Sequence, residues 1–334
     1  MTQVLEPDTG FAELEEYRTE LRGYCYRMLG SVFDADDAVQ DTLVKAWQAR
    51  DRFEGRSSVR SWLYRIATNT CLDSLRSRAR RALPMDLSSP VPATTAPGDP
   101  LPEATWIEPA PQGDVVRLEA DPAARAVSAD SVRLAFIAAL QLLPPRQRAV
   151  LILREVLAWS AAEVAELLDT TVASVNSALQ RARATLAASG VAEGGAPEPL
   201  TTEDRALLAR YVAAFEAYDI PALVALLHED ASISMPPLAL WLKGRRDLHD
   251  WYVGFGAGCR GSVLVPVEAN GAPAFAQYKP APDGGLASWS IQVLELSGGE
   301  LVHVHHFLDP ALFARFGLPS TLPAQGTCRP AEGT

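Results

Sequence analysis

The chain has 334 residues, 48% apolar and 21% charged, with a net charge of −11. That length supports two or three domains, and the apolar share excludes wholesale disorder. No stretch approaches the roughly 20 apolar residues of a membrane-spanning helix. The start MTQVLEPDTGFAELEE lacks the pattern of a secretion signal, and Cys25, Cys71, Cys259 and Cys328 are too scattered for a zinc ribbon or disulfide scaffold. A cytoplasmic protein without cofactor or resident metal is the expectation. The acidity is uneven: Arg50–Arg81 carries 9 bases against 3 acids.

In chain order, residues 11–82 predict helices. Leu14, Tyr17, Leu21, Tyr24 and Met28 form one apolar face. Gly30 and Ser31 break that helix, and a second starts near Asp34 and runs through Ala38, Leu43 and Trp47. Phe53–Ser58 is turn chemistry, and a third helix spans about Val59 to Arg80. Residues 83–127 read as a linker. Its stretch 83–112 holds eight prolines and no base, so it should be extended, although the apolar pair Trp106-Ile107 should dock somewhere. Residues 128–189 return to helix. Val132, Phe136, Ala139 and Leu140 share a face, Pro144-Pro145 ends it, and Gln147–Ala158 follows. Ser160–Leu168 starts with a capping box, Ser160 with Glu163, and Thr170 or Thr171 caps a last helix to about Ala188. Residues 190–201 form a second linker. Beyond it come helices at about 202–217 and 220–228, a strand near Ala231–Met235 and a short helix near Arg246–Phe255. Val263–Glu268, Ala272–Tyr278, Ser288–Leu296 and Leu301–Leu308 have β character, with Pro282–Gly285 and Ser297–Gly299 as hairpin turns. Helices followed by antiparallel strands predict an α+β domain over 202–318, with a flexible tail at 319–334.

Three segments carry chemistry. Leu157–Leu186 has helix-turn-helix spacing, and its second helix puts Ser174, Asn176, Ser177, Gln180, Arg181 and Arg183 on the polar side. Such side chains bond phosphates and base edges, although a plain helical hairpin has a solvated face too. In Asp51–Arg81, bases interleave with Phe53, Trp62 and Tyr64. That mixture suits partly single-stranded nucleic acid, and the alternative is aromatic residues in a core beneath solvated arginines. Asp34, Asp36, Asp37 and Asp41 favour a helix dipole, and with Leu43 and Trp47 they also offer a protein-docking face.

The order of these segments is more specific than any one of them. The N-terminal half resembles the extracytoplasmic-function (ECF) sigma factors, the small class of bacterial RNA polymerase specificity subunits. DADDAVQDTLVKAWQARDRFEGRSSVRSWLYRIATNTCLDSLRSR is similar to their region 2, and LPPRQRAVLILREVLAWSAAEVAELLDTTVASVNSALQRARATL to their region 4. The resemblance implies two all-α sigma domains, 11–82 and 128–189, with RNA polymerase core and promoter DNA as partners. Asp36, Asp37, Asp41, Leu43 and Trp47 match the segment that docks on the β′ clamp helices, and the β flap is a second implied contact. Phe53, Arg56, Ser57, Arg60, Trp62 and Tyr64 match the part that captures flipped −10 bases. Arg65, Asn69, Asp73 and Arg76 match the −10-reading segment after it. Thr171, Ser174, Asn176, Ser177, Gln180, Arg181 and Arg183 lie on the matching −35 recognition helix. Many members have bases where this chain has Asn176 and Ala178, so fewer phosphate contacts and a shallower salt dependence are expected here.

Residues 202–318 resemble a SnoaL-like domain of the nuclear transport factor 2-like superfamily, on LLARYVAAFEAYDIPALVALLHEDASISMPP, WLKGRRDLHDWY and the paired strands. That resemblance implies a cone-shaped α+β fold around an apolar pocket for a small ligand. Candidate pocket groups are His228, Asp230, His249, His303, His305 and His306, with His303 and His305 on one strand face. A general base or metal pair there is weighed against plain wall and rim. The latter is preferred, with no catalytic residue assigned. The fusion implies control in cis. Trp106-Ile-Glu-Pro109 resembles a tryptophan–proline motif of sigma factors with an extra C-terminal domain, so Trp106, Asp283 and Gly284 are candidate regulatory contacts. Two rivals remain: a ligand-responsive helix-turn-helix regulator without polymerase, and a SnoaL-like cyclase or isomerase with a DNA-binding arm.

Overall fold

A computed structural model describes residues 14–53, 55, 57–77, 79–115, 131–189 and 200–323. The chain divides into two compact units. The first is residues 1–82 with 104–198, and the second is 83–103 with 199–334.

In the first unit, α1 (Arg18–Leu29) buries Leu21, Tyr24 and Met28 and stops at Gly30, whose φ of 72° suits glycine. A Cβ there would also crowd the Gln141 side chain at 3.3 Å. α2 (Val32–Ala49) starts earlier than expected, because the Ser31 hydroxyl accepts from the Asp34 amide at 3.1 Å as a cap. α3 (Val59–Leu75) is capped by Ser58 in the same way. It ends five residues before the predicted Arg80. Beyond it the chain turns so that Arg81 reaches Asp34 at 2.6 Å, Glu108 at 3.3 Å and the Trp106 carbonyl.

Trp106 docks as its composition suggested. It pairs with Ala82 in a parallel bridge, Ile107 is fully buried, and Glu108 accepts from Ser31 at 2.7 Å. α4 (Gln112–Val115) follows. α5 (Leu134–Gln141) and α6 (Pro145–Leu151) come next, and α6 widens into a π turn at Ile152–Val156, so the predicted helix to Ala158 ends short. α7 (Ala161–Leu167) and α8 (Val172–Ala188) complete the unit.

The second unit opens with α9 (Thr202–Ala217) and α10 (Ile220–Ala225). Its strands are β1 (Leu227–Ser234), β2 (Trp241–Lys243), β3 (Val263–Ala269), β4 (Ala272–Pro280), β5 (Leu286–Ser297), β6 (Glu300–Phe307) and β7 (Thr321–Leu322). α11 (Arg245–Val253) follows β2, and α12 (Ala311–Arg315) follows β6. The sheet order is β2-β1-β6-β5-β4-β3, with β7 paired to β5. β1 runs parallel to β6, so the sheet is mixed rather than wholly antiparallel. The unforeseen β2 has three residues, too few to show alternation. β7 turns the start of the expected flexible tail into a paired strand.

The linker expected to be extended also packs before Trp106. Val91 donates to the Trp241 carbonyl at 3.0 Å, Leu101 donates to that of Pro237 at 2.9 Å, and Ala93 sits in the core of this unit. Prolines leave few donors, and these two amides find carbonyls on the edge strand β2 and in the turn before it. Among the described residues no helix is long and apolar enough to cross a membrane.

Candidate functional site

The helix-turn-helix half is built by local rules. At the start of α7, the Glu163 amide donates to the Ser160 hydroxyl at 3.2 Å, and the Ser160 amide donates back to the Glu163 carboxylate at 2.7 Å. Those hydrogen bonds hold the Glu163 carboxyl below its ordinary pKa. α8 is capped by Thr171, which accepts from the Ser174 amide at 3.1 Å. Val175, Leu179 and Ala182 point into the core at helical spacing. Ser174, Asn176, Ser177, Gln180, Arg181 and Arg183 are all exposed on the rest of the helix, and Arg183 pairs with Glu155 at 2.5 Å.

α3 is organised differently. Arg65, Asn69, Asp73 and Arg76, spaced 4, 4 and 3, form one exposed stripe, with Asp73 and Arg76 paired at 2.8 Å. Phe53 and Trp62, both half-buried, hold their ring centroids 4.9 Å apart, and Ser57 is half-buried. Arg56 lies outside the described residues. Tyr64 is a correction, being fully buried. Its ring packs edge-on to Tyr24 at 5.1 Å and against Trp159 at 5.1 Å, and its hydroxyl donates to Glu20 at 2.7 Å. Burial, then the Glu20 charge, pushes its phenol pKa well up. Arg60 pairs with the same Glu20 oxygen at 2.5 Å and lies 5.4 Å from both the Tyr64 and Trp159 rings. Arg65 donates to the Glu166 carbonyl at 2.9 Å. Glu20, Trp159 and Glu166 are functional neighbours that sequence reasoning missed. Only the apolar Trp159 just before a capping box hinted at them.

On α2, Asp37 and Asp41 are exposed, while Asp36 pairs with Arg22 at 2.5 Å. Leu43 is a second correction: it is fully buried in the core, and the exposed apolar residue of this face is Val44. Trp47 is half-buried with the Arg50 guanidinium 4.0 Å over its ring.

The second unit encloses a cavity of about 390 Å³, walled by Phe215, Ile233, Met235, Trp251, Tyr252 and Leu308 among others. Behind it runs a buried polar ladder. Tyr211 donates to Gln292 at 2.7 Å, and Gln292 and Ser290 both donate to Gln277, at 3.0 and 2.9 Å. The predicted histidine group does not converge there. His303 and His305 share a face of β6, with rings 6.0 Å apart, and are engaged by Ser232 at 2.6 Å and Ser234 at 2.9 Å. His228 accepts from the Asp230 amide, and His249 sits beside Asp250. His306 alone of these lines the cavity, and burial, then the neighbouring His305, pulls its imidazole down to about 3. It is neutral at ordinary pH. Among the described residues no group of three His, Cys, Asp or Glu side chains is placed to hold a metal ion.

Residues 14–81 match the family Sigma-70 region 2, residues 133–186 match Sigma-70, region 4, and residues 208–304 match the SnoaL-like domain. The chain is 46% identical over 318 residues to the ECF RNA polymerase sigma factor SigG of Mycobacterium tuberculosis, covering 93% of this chain and 84% of that one. This chain belongs to the ECF RNA polymerase sigma factors. Its function is accordingly promoter-directed transcription initiation, with RNA polymerase and promoter DNA as partners. It is also 33% identical to the sigma factor SigJ of the same species over 67% of this chain and 64% of that one. The crystal structure of SigJ matches its fold with a TM-score of 0.58 at 23% identity, covering 92% of this chain and 99% of that chain. Two helical sigma domains and a SnoaL-like domain are therefore the architecture of this sigma factor.

Of the three candidate regulatory residues, Trp106 is buried in the first unit. Asp283 and Gly284 occupy an exposed turn of the second, where Asp283 accepts from the Gly285 amide at 3.1 Å and Gly284 takes φ of 86°.

Proposed function

We propose that this sigma factor reads the −35 element with the exposed face of α8 and the −10 element with the Phe53–Trp62 pair and the Arg65, Asn69, Asp73 and Arg76 stripe. The observation that supports this most is the pair of separate exposed polar faces within one unit, one on α3 beside a half-buried pair of tilted aromatic rings and one on a helix-turn-helix. Aromatic faces suit unstacked bases, and a polar second helix suits a major groove. Asp37, Asp41, Val44 and Trp47 form the proposed docking face for the β′ clamp helices, with Asp36 and Leu43 serving as its scaffold. The helix-turn-helix half meets the β flap. The chain acts in the cytoplasm, where the polymerase is.

The SnoaL-like unit regulates in cis as a binding module rather than an enzyme. Among the described residues the cavity has one histidine and no carboxylate to work with it, which favours binding over proton transfer. Segment 83–103 links it to the promoter-reading unit, and Trp106, Asp283 and Gly284 are the positions at which to uncouple that control. Run-off transcription with bacterial core polymerase over a random promoter pool tests the reading, comparing the full chain with one ending at Ser189. Specific transcripts that depend on the added protein are expected, with altered yield from the shorter chain. No transcript from either, together with no binding to core, would overturn it.

A further inference from the structure

The cavity of the second unit has a wall that a free-standing domain would lack. Pro97 and Pro100, from the segment that precedes the helix-turn-helix half in sequence, face into it. That segment is held on both sides of the prolines, by Val91 on the Trp241 carbonyl and Leu101 on the Pro237 carbonyl, and the Trp241 indole donates to the Ser88 carbonyl at 2.9 Å. Anything filling the cavity therefore touches the linker directly.

The polar groups around the cavity select its occupant. Among the described residues, Lys279 is the only charged side chain in the wall, and no carboxylate lines it. Its ammonium lies 3.8 Å from the centre of the Trp289 ring and has no acidic partner among the described residues. His306, 7% exposed, also lines the cavity. A neutral imidazole offers a guest one donor and one acceptor. Apolar walls, one cation with no carboxylate beside it in the lining and one neutral imidazole describe an amphipathic anion. The volume falls within the roughly 300–1,000 Å³ of pockets that enclose small organic molecules.

We propose that the cavity binds a small organic acid with an apolar, ring-containing body, its anionic group on Lys279 and its body beside His306, and that the bound acid pins linker residues 91–101 against the SnoaL-like unit. This deepens the reading of that unit as a cis-regulatory binding module and rests on it. Binding and docking are linked, so a ligand that contacts the docked segment favours that state by its differential affinity alone.

The test uses the full chain and three defined probes: 2-naphthoate, 8-anilino-1-naphthalenesulfonate and the neutral 2-naphthamide. Calorimetry should show both anions binding at least about tenfold tighter than the amide. Lys279→Met should remove that preference while leaving the amide unchanged, and Leu238→Trp, which fills the cavity, should abolish binding of all three. Hydrogen exchange should slow about tenfold at Ala93–Leu101 on saturation with anion. Absence of anion binding below about 1 mM, or anion preference that survives Lys279→Met, would overturn the site. Tight binding with unchanged exchange at 93–101 would overturn the link to the linker. The same preparation is assayed for run-off transcription. Transcription without anion binding sinks this inference alone, and anion binding without transcription sinks the sigma reading alone.

Discussion

α3 and α8 are both 17-residue helices with hydroxyl caps, and both carry proposed promoter contacts, yet they stand in opposite states. α8 buries three residues along one line and leaves its polar face bare. α3 buries seven, and its basic side chains are already engaged, Arg60 by Glu20 and Trp159, Arg65 by Glu166. Trp159 and Glu166 come from the helix-turn-helix half, so that half covers part of the helix that would meet the −10 strand. If the proposed contacts hold, the α8 face is bare in the free chain, whereas on α3 the Arg65, Asn69, Asp73 and Arg76 stripe is exposed but Arg60 is held by Glu20. The cost of uncovering is set by the groups that hold the two halves together.

The largest of these is Arg148. It is buried, and it donates to the Met28 carbonyl at the end of α1, to Gln141 Oε1 at 2.6 Å and to the Gln141 and Leu143 carbonyls at 3.2 Å. Burial lowers its guanidinium pKa to about 10, which leaves it charged at neutral pH. Arg148→Met keeps much of the volume and strands those acceptors, so a loss of about 3–4 kcal/mol is expected in denaturant unfolding. Hydrogen exchange should rise more in α3 than in α8. Equal loss in both helices would break the asymmetry drawn above.

Glu20→Gln is the next step down. It keeps an acceptor for the Tyr64 hydroxyl and removes the charge facing Arg60, for an expected loss of about 1–2 kcal/mol. Arg60 should then become more available, and single-stranded oligonucleotide binding by the full chain should strengthen. Weaker binding would mean that Arg60 reads DNA only while Glu20 positions it.

The contrast between the helices also shows what was legible. The α8 face follows from period, cap and residue type, all local. The burial of Tyr64 and Leu43 is not legible locally, because an aromatic or leucine at helical spacing serves a core and an interface equally well, and the deciding partners of Tyr64 are 44 residues before it and 95 after it. The composition of the proline-rich stretch says that it builds no core of its own. What composition cannot show is that such a stretch still packs on cores built by others, as Ala93 and Trp106 do. Period two placed His303 and His305 together, but which face of β6 meets the cavity is a property of the whole sheet, and it selects His306.

Glu166→Lys sharpens the comparison at little cost to the fold. Glu166 is exposed, so stability should change by under about 1 kcal/mol. A like charge beside Arg65 should nonetheless push the two halves apart, raising affinity for a −10-like single strand about two- to fivefold in fluorescence anisotropy. Binding of a −35-like duplex to α8 should be unaffected.

The smallest structural effect belongs to the bare helix. Arg181→Ala should leave unfolding within about 0.5 kcal/mol, because its side chain is exposed and has no ion pair among the described residues. Its effect should appear in DNA binding alone, as a reduction of about 1 in the slope of log affinity against log salt for a −35-like duplex. Arg183→Ala should reduce that slope by less, since Glu155 at 2.5 Å already neutralises part of its charge before any phosphate arrives. Equal slopes for the two variants would mean that Glu155 lets go on binding and that α8, like α3, is partly held in the free chain.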